Sequence, residues 1–150
     1  TSTNAAIGVA TSAMAKSFSI NQGRYTPEVS NLDLVSQIVD GQVEFSINLD
    51  TTDMIGAQFN IEYDKSKLVL ENVIFDTGNE MTNFSNLREN EGKLNIGSFD
   101  QNFQYTIKSG TPYKLIFTPT QQLDNVLGLI TFKVNEGVKA DGTQVKFQIN

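Results

Sequence analysis

The chain contains no cysteine, no histidine and no tryptophan. It therefore lacks the commonest general base, the thiol nucleophile, the usual zinc ligands and any disulfide framework. An enzyme built on this chain would depend on carboxylates, hydroxyls or lysine alone, and no pair of carboxylates has a spacing that indicates a catalytic cleft. The sequence therefore predicts a protein that has no catalytic residues and is not an enzyme.

Positive charge is also scarce. The chain has 11 Lys and Arg residues against 17 Asp and Glu residues, which gives a net charge of −6. Because phosphate binding depends on clustered Lys and Arg, this balance predicts no nucleic-acid partner. The longest weakly apolar run, Ala5 to Ala15, is mostly Ala and Gly and is far shorter than the ~20 residues that a spanning helix needs. We therefore expect no membrane insertion.

The N-terminal residues differ in composition from the rest of the chain. Thr1 to Lys16 is rich in Ala, Thr and Ser, and its larger apolar residues are Ile7, Val9 and Met14. So little apolar surface cannot support independent folding. We assign residues 1–16 to an extended N-terminal arm or linker and 17–150 to a single domain. The arm is either a flexible remnant or a segment that orders against a neighbouring subunit through its three apolar residues.

Beyond the arm, short alternating segments are separated by turn signals at about ten-residue spacing, a pattern typical of a sandwich or barrel. The clearest of them lies between Gly56 and Leu70. There polar and apolar residues alternate in the order Gln58, Phe59, Asn60, Ile61, Glu62 and Tyr63. One face of this strand should be buried and the other wetted. We predict that the exposed strand face contacts a partner through Gln58, Asn60 and Glu62.

The remaining segments predict further strands. A short one is expected around Phe18 and Ile20. Asn31 to Val39 fits a strand with a bulge or one short helix, and the strand is favoured because the Asp40-Gly41 pair after it suits the positive φ angles of a type I′ hairpin. Three expectations concern the C-terminal half: a strand carrying Phe103, Tyr105 and Ile107, a turn at Ser109-Gly110-Thr111-Pro112, and a strand from Val126 to Val134 that is buried on both faces or close to it.

Three blocks of the sequence resemble cohesin-type modules: Val43 to Leu49, Gly56 to Leu70, and Asp124 to Val134. The resemblance extends from about residue 41 to residue 149. It implies an all-β, cohesin-like jelly-roll β-sandwich of about nine strands, preceded here by the arm. It also implies a usually extracellular module that binds a dockerin or has a structural or adhesive role.

The resemblance further implies which strand faces the partner. In dockerin-binding cohesins, the strand before the family's Tyr-Asp pair carries Asn and Asp side chains toward the partner, and the matching positions here are Gly56, Ala57 and Gln58. Those contacts cannot be transferred to this chain. The difference favours a cohesin-like fold with another structural use or another partner.

Oxygen-rich loops are candidate calcium sites, because carboxylate and amide oxygens are hard ligands. The candidate metal ligands are Asp76, Asn79 and Glu80, which share one loop. Calcium is thus the one cofactor that the sequence leaves open. The alternative interpretation is that these are turn-forming residues on a sandwich rim.

Aromatic side chains offer a possible carbohydrate platform, since sugars stack on exposed rings. The candidates are Tyr25, Phe103, Tyr105 and Tyr113. Packing in the core or at the rim is the alternative, and it is favoured because carbohydrate modules usually rely on Trp, which this chain lacks.

Together these observations predict a structural or interaction module displayed on a particle or cell surface. The leading hypothesis is a virion decoration or fibre-type protein that contacts a protein partner or neighbouring subunits. The alternative is a bacterial extracellular cohesin or adhesion module that binds a dockerin-like protein. A third hypothesis is a carbohydrate-binding domain. The predicted location is extracellular or on a virion surface.

Overall fold

The computed structural model describes residues 27–50 and 53–149. These residues form nine strands: β1 (Glu28–Val39), β2 (Gln42–Leu49), β3 (Met54–Tyr63), β4 (Leu68–Phe75), β5 (Thr82–Arg88), β6 (Lys93–Phe99), β7 (Gly110–Pro119), β8 (Ile130–Lys139) and β9 (Gln144–Ile149). Two short 3₁₀ turns lie at Glu89–Glu91 and Leu127–Leu129. The predicted arm contacts Ile7, Val9 and Met14, the expected strand at Phe18 and Ile20, and Tyr25 all lie outside the described residues.

The nine strands form one hydrogen-bonded ladder in the order β4-β7-β2-β1-β9-β8-β3-β6-β5. β1 joins its two halves. It pairs in parallel with β9 over Glu28–Leu32 and antiparallel with β2 over Leu32–Val39. The ladder closes into a near-barrel with β4 and β5 at its edges. The predicted all-β sandwich of about nine strands is confirmed.

The core is centred on Phe59 of β3. Its ring lies 5.4 Å from that of Tyr113 in β7, across the sandwich, and 5.6 Å from that of Phe147 in β9. Tyr63 and Phe117 make a second contact between the halves, with ring centroids 5.1 Å apart. Such ring contacts, of which those of Tyr113 and Tyr63 are edge-to-face, add to the stabilisation from apolar burial. The alternation predicted for β3 thus places its apolar residues in the core.

Two predicted turns are confirmed. Asp40 and Gly41 have φ angles of 51° and 78°, and Val39 lies opposite Gln42, as a two-residue type I′ hairpin requires. After β3, the Asp64 carboxylate accepts hydrogen bonds from the backbone N–H of Ser66 at 3.0 Å and from its hydroxyl at 2.5 Å. This local bonding closes the turn into β4.

The predicted strand through Phe103, Tyr105 and Ile107 is wrong, because residues 100–109 form a loop. The predicted turn at Ser109-Gly110-Thr111-Pro112 is also wrong, since β7 already begins at Gly110. Pro112 is accommodated within β7 because the β2–β7 pairing is irregular between the Ile47–Tyr113 and Leu49–Gly110 pairs. At such a bulge a residue without an N–H leaves no ladder bond unmade.

The predicted strand from Val126 to Val134 is wrong in its first part, because Leu127–Leu129 forms the second 3₁₀ turn and β8 begins at Ile130. The backbone carbonyl of Leu129 accepts a hydrogen bond of 2.9 Å from the N–H of Asp64, which holds this turn against the β3–β4 connection. Burial on both faces is wrong as well. Thr131 and Lys133 are exposed, because this part of β8 has one face toward solvent.

Candidate partner-binding face

A depression of about 520 Å³ lies on the outer surface of the four strands β5, β6, β3 and β8. Ile61 of β3 and Leu94 of β6 also line it. We call its polar side chains the polar face: Gln58, Asn60, Glu62, Asn86, Arg88, Lys93, Asn95 and Lys133. The three residues predicted to contact a partner are all part of it.

Strand register brings these side chains together. Asn60 of β3 lies opposite Asn95 of β6, which in turn lies opposite Asn86 of β5. The next row toward the sheet end pairs Glu62 with Lys93 and Lys93 with Arg88. Because opposite residues share one face of a sheet, these rows form a band of amides beside a band of charges.

The charged band is linked by ion pairs. One oxygen of Glu62 lies 3.4 Å from Nζ of Lys133, and the other lies 4.0 Å from Nζ of Lys93. Glu91 lies 3.6 Å from a guanidinium nitrogen of Arg88 and 3.9 Å from Nζ of Lys93. Exposed pairs of this kind contribute little stability. These ion pairs hold Arg88, Lys93 and Lys133 together at one end of the depression.

The amide band is organised by hydrogen bonds. The side-chain Nε2 of Gln58 donates to Oε1 of Glu136 at 2.6 Å. The Nδ2 of Asn95 donates to Oδ1 of Asn60 and, at 3.3 Å, to the backbone carbonyl of Phe59. These bonds fix the side chains before any partner arrives, and such preorganisation lowers the entropy lost on binding.

The prediction of an exposed strand face needs correction. Gln58 is only 8% exposed, and Asn60 and Glu62 are half-buried. The reason is that β3 lies between β6 and β8, so its outer side chains are covered by those of both neighbours. The face is accessible as a depression rather than as a projecting strand.

The three positions that the resemblance matches to partner-facing residues, Gly56, Ala57 and Gln58, differ in their surroundings. Ala57 is fully buried among core residues, so its side chain cannot contact a partner. Gly56 lies near Phe99 and Val138, beyond the residues that line the depression. Only Gln58 of the three belongs to the polar face.

Sequence reasoning missed five members of this face: Asn86, Arg88, Lys93, Asn95 and Lys133. A signal was present in β6, where Lys93 and Asn95 alternate with the buried Leu94 and Ile96. That alternation marks the outer side chains but does not reveal which strand lies beside which.

The predicted calcium loop has a different local role. Asp76 forms an ion pair with Lys108 at 3.2 Å, and Asn79 and Glu80 are exposed. Within residues 27–50 and 53–149, no group of three or more Asp and Glu side chains is placed to hold a metal ion. Calcium binding by Asp76, Asn79 and Glu80 stays a prediction.

The aromatic candidates separate into two kinds. Tyr113 is a core residue, as the alternative interpretation expected. Its hydroxyl donates to Oγ of Ser98 at 3.0 Å, and burial raises its pKa well above the ordinary value. Phe103 and Tyr105 instead lie exposed in the loop between β6 and β7.

No helix in the described part of the chain is long and apolar enough to cross a membrane.

Comparison with solved structures shows a cohesin-like fold. A type II cohesin, A11, from Bacteroides cellulosolvens is similar with a TM-score of 0.65 and 18% identity, over 80% of this chain and 95% of that chain. The sixth cohesin of scaffoldin B from Acetivibrio cellulolyticus, solved with a Cel5 dockerin, has a TM-score of 0.63 and 18% identity, over 83% and 95%. A type I cohesin–dockerin complex from Clostridium thermocellum, Coh-OlpA with Doc918, gives 0.55 and 12%, over 80% and 99%.

No family model matches the sequence, and no curated protein matches it either. At the identities found among solved structures, the likeness establishes the fold.

Proposed function

We propose that this protein is a non-catalytic, extracellular interaction module that binds a dockerin-like protein through the polar face. The observation that carries the proposal is the depression on β5, β6, β3 and β8, with its ordered band of amides and its three cations. Polar groups that are held in place before binding reduce the entropy lost when a partner docks. Side chains fixed in this way suit a partner of defined shape.

Charge indicates the chemistry of the partner. The depression is lined by three cations, Arg88, Lys93 and Lys133, and by one carboxylate, Glu62, whereas the whole chain has a net charge of −6. Because Glu62 and Glu91 pair with these cations, the face is close to neutral, and an acidic partner is repelled less there than by the rest of the molecule. Such an arrangement orients the encounter and favours one docking geometry. The partner should therefore present carboxylates and hydrogen-bonding side chains.

The similar solved structures support this proposal over a virion decoration or fibre protein. They are bacterial cohesin modules, and two of those described above were solved with dockerins. The polar face gives the same fold a surface on which a protein can dock. This is the second of the hypotheses drawn from the sequence.

The test is a binding measurement with purified dockerins, using the Cel5 dockerin of Acetivibrio cellulolyticus and Doc918 of Clostridium thermocellum as first probes, followed by a panel of type I and type II dockerins in calcium buffer. We expect at least one to bind, with an affinity that falls as salt rises. Lys93→Glu should weaken that binding by about tenfold or more, because it places a third carboxylate beside Glu62 and Glu91.

The matched control is Lys108→Glu. Lys108 is also an exposed lysine paired with a carboxylate, and it lies outside the depression, so the same change in net charge is made elsewhere. Its binding should equal that of the parent protein. Equal losses in both variants, or no binding by any dockerin in the panel, would contradict the proposal.

A further inference from the structure

The loop of residues 100–109, between β6 and β7, is attached firmly to the body of the sandwich. We call it the aromatic loop. The backbone N–H of Asp100 donates to the carbonyl of Ile55 at 2.9 Å, and that of Ile107 donates to Met54 at 2.8 Å. The N–H of Lys108 donates to Thr77 at 2.9 Å. These anchors place the loop at the start of β3, away from the charged band of the polar face near the end of β3.

Inside the loop, one buried carboxylate orders the backbone. Oδ2 of Asp100 accepts hydrogen bonds from the N–H groups of Tyr105 at 2.7 Å and Gln104 at 2.9 Å, and Oδ1 accepts one from Asn102 at 3.2 Å. These bonds hold the pKa of Asp100 below its ordinary value, and the bond from the N–H of Tyr105 has the largest effect. Both carboxylate oxygens are occupied, so the loop is held in one conformation and offers no free charge from Asp100.

This order presents two aromatic rings to solvent. Phe103 is 47% exposed and Tyr105 is 49% exposed. Phe103 also has a φ of 55°, in the left-handed region that bulky residues rarely adopt. Strain of this kind persists where the surrounding structure enforces it, and it is concentrated at ligand-binding positions. A large apolar ring that is both strained and half in solvent contributes little to folding.

The neighbouring side chains define the ligand. From Gln101 to Thr106 the sequence is Gln-Asn-Phe-Gln-Tyr-Thr, and every one of these residues is exposed. The stretch thus alternates amides and a hydroxyl with two rings and has no charge. The nearest cation along the chain, Lys108, is paired with Asp76 at 3.2 Å. Rings that stack on apolar faces, with amides beside them to bond hydroxyls, suit a neutral polyhydroxylated ligand rather than an acidic or basic one.

We propose that the aromatic loop is a binding site for a neutral oligosaccharide, which stacks on Phe103 and Tyr105 and hydrogen-bonds the side chains of Gln101, Asn102 and Gln104. The site is separate from the polar face and does not depend on its partner. A module with both sites would hold a protein and a polysaccharide at once.

The experiment titrates the ¹⁵N-labelled protein with cellohexaose, xylohexaose and mannohexaose and records amide shifts. We expect one of them to shift the amides of residues 101–106 at millimolar concentration or below. Tyr105→Ala should weaken binding by about tenfold, the effect expected for one stacking ring. Tyr105→Phe keeps the ring and should retain affinity within about threefold.

Leu127→Ala is the matched control, since Leu127 is also 47% exposed and lies in a different turn. It should bind like the parent. The amide spectrum of each variant shows that the protein is folded. The proposal is overturned if no neutral oligosaccharide shifts the loop, if Tyr105→Ala and Leu127→Ala behave alike, or if an acidic oligogalacturonide binds more tightly than every neutral probe. It is also overturned if Tyr105→Ala reduces binding of a dockerin while no oligosaccharide binds.

Discussion

The polar face and the aromatic loop present side chains to solvent by different means. In the polar face, side chains from four strands meet because strand register places them in the same rows, and ion pairs and amide bonds then fix them. In the aromatic loop, one buried carboxylate accepts hydrogen bonds from three backbone N–H groups, and the ordered loop exposes two uncharged rings. The face depends on the whole sheet, whereas the loop depends chiefly on Asp100.

This difference implies different sensitivities to substitution. A change that separates β3 from β6 should damage the polar face and the fold together. A change at Asp100 should disorder the loop while the rows of the polar face stay in place. The polar face and the aromatic loop are independent if a substitution in one leaves the binding properties of the other unchanged.

The largest effect is expected for Gly97→Ala in β6. A Cβ atom at this position would lie 2.3 Å from the backbone carbonyl oxygen of Ala57 and 2.6 Å from Cζ of Phe84. Because one of these neighbours is the backbone of β3, the clash can be relieved only by moving β6 away from β3. We expect a loss of about 3 kcal/mol in the free energy of unfolding, measured by urea denaturation, and loss of dockerin binding by the distorted face.

Gly128→Ala is its control, since a Cβ there has nothing nearer than 3.5 Å. Its stability should stay within about 0.5 kcal/mol of the parent. Similar losses for both glycines would show that the close approach of β6 to β3 is not what limits the residue at position 97.

The next effect is expected for Asp100→Asn, which removes charge-assisted bonds to backbone amides. We expect a loss of about 2 kcal/mol at pH 7. Dockerin binding by the polar face should be unchanged, and oligosaccharide binding by the loop should fall. Asp124→Asn, at an exposed aspartate, is the matched control and should change stability by less than about 0.5 kcal/mol.

Asp100→Asn should also change how the free energy of unfolding depends on pH. The pKa of Asp100 is lower in the folded state, so its contribution is present above the unfolded value of about 3.9 and is lost as the pH falls through the folded pKa. The parent should therefore lose more stability than Asp100→Asn as the pH is lowered below about 4. Asp64 and Asp141, whose pKa values are also lowered, keep some slope in both proteins. Equal slopes would show that Asp100 does not carry this contribution.

Local chemistry explains which elements could be predicted from sequence. The alternation from Gln58 to Tyr63 and the Asp40-Gly41 turn are each decided within a few residues, and the structure confirms both. The loop of residues 100–109 could not be predicted in the same way. Its alternating Phe103, Tyr105 and Ile107 fit a strand equally well, and the carboxylate of Asp100 changes the outcome by bonding the amides that a ladder would use.

The polar face shows the same limit at longer range. Gln58, Asn60 and Glu62 are recognisable from their strand alone. Their neighbours Arg88 and Lys133 join them only through the order β5-β6-β3-β8, which no single segment encodes. The sequence therefore identifies the central strand of the polar face, whereas its other members depend on which strands are neighbours in the sheet.

The smallest effect on stability, and the sharpest test of the loop, is expected for Phe103→Asn. Asparagine tolerates positive φ, so the variant relieves a strain of about 1 kcal/mol while losing the half-buried part of the ring, which contributes a similar amount. The net change in the free energy of unfolding should be within about 0.5 kcal/mol.

Leu127→Asn removes an equally exposed apolar side chain without relieving any positive φ, so it should be at least as destabilising. If Phe103→Asn keeps its stability while its oligosaccharide affinity falls by about tenfold, the ring is retained for binding rather than for folding. If it unfolds more readily than Leu127→Asn, the ring contributes to packing, and the contrast between loop and face disappears.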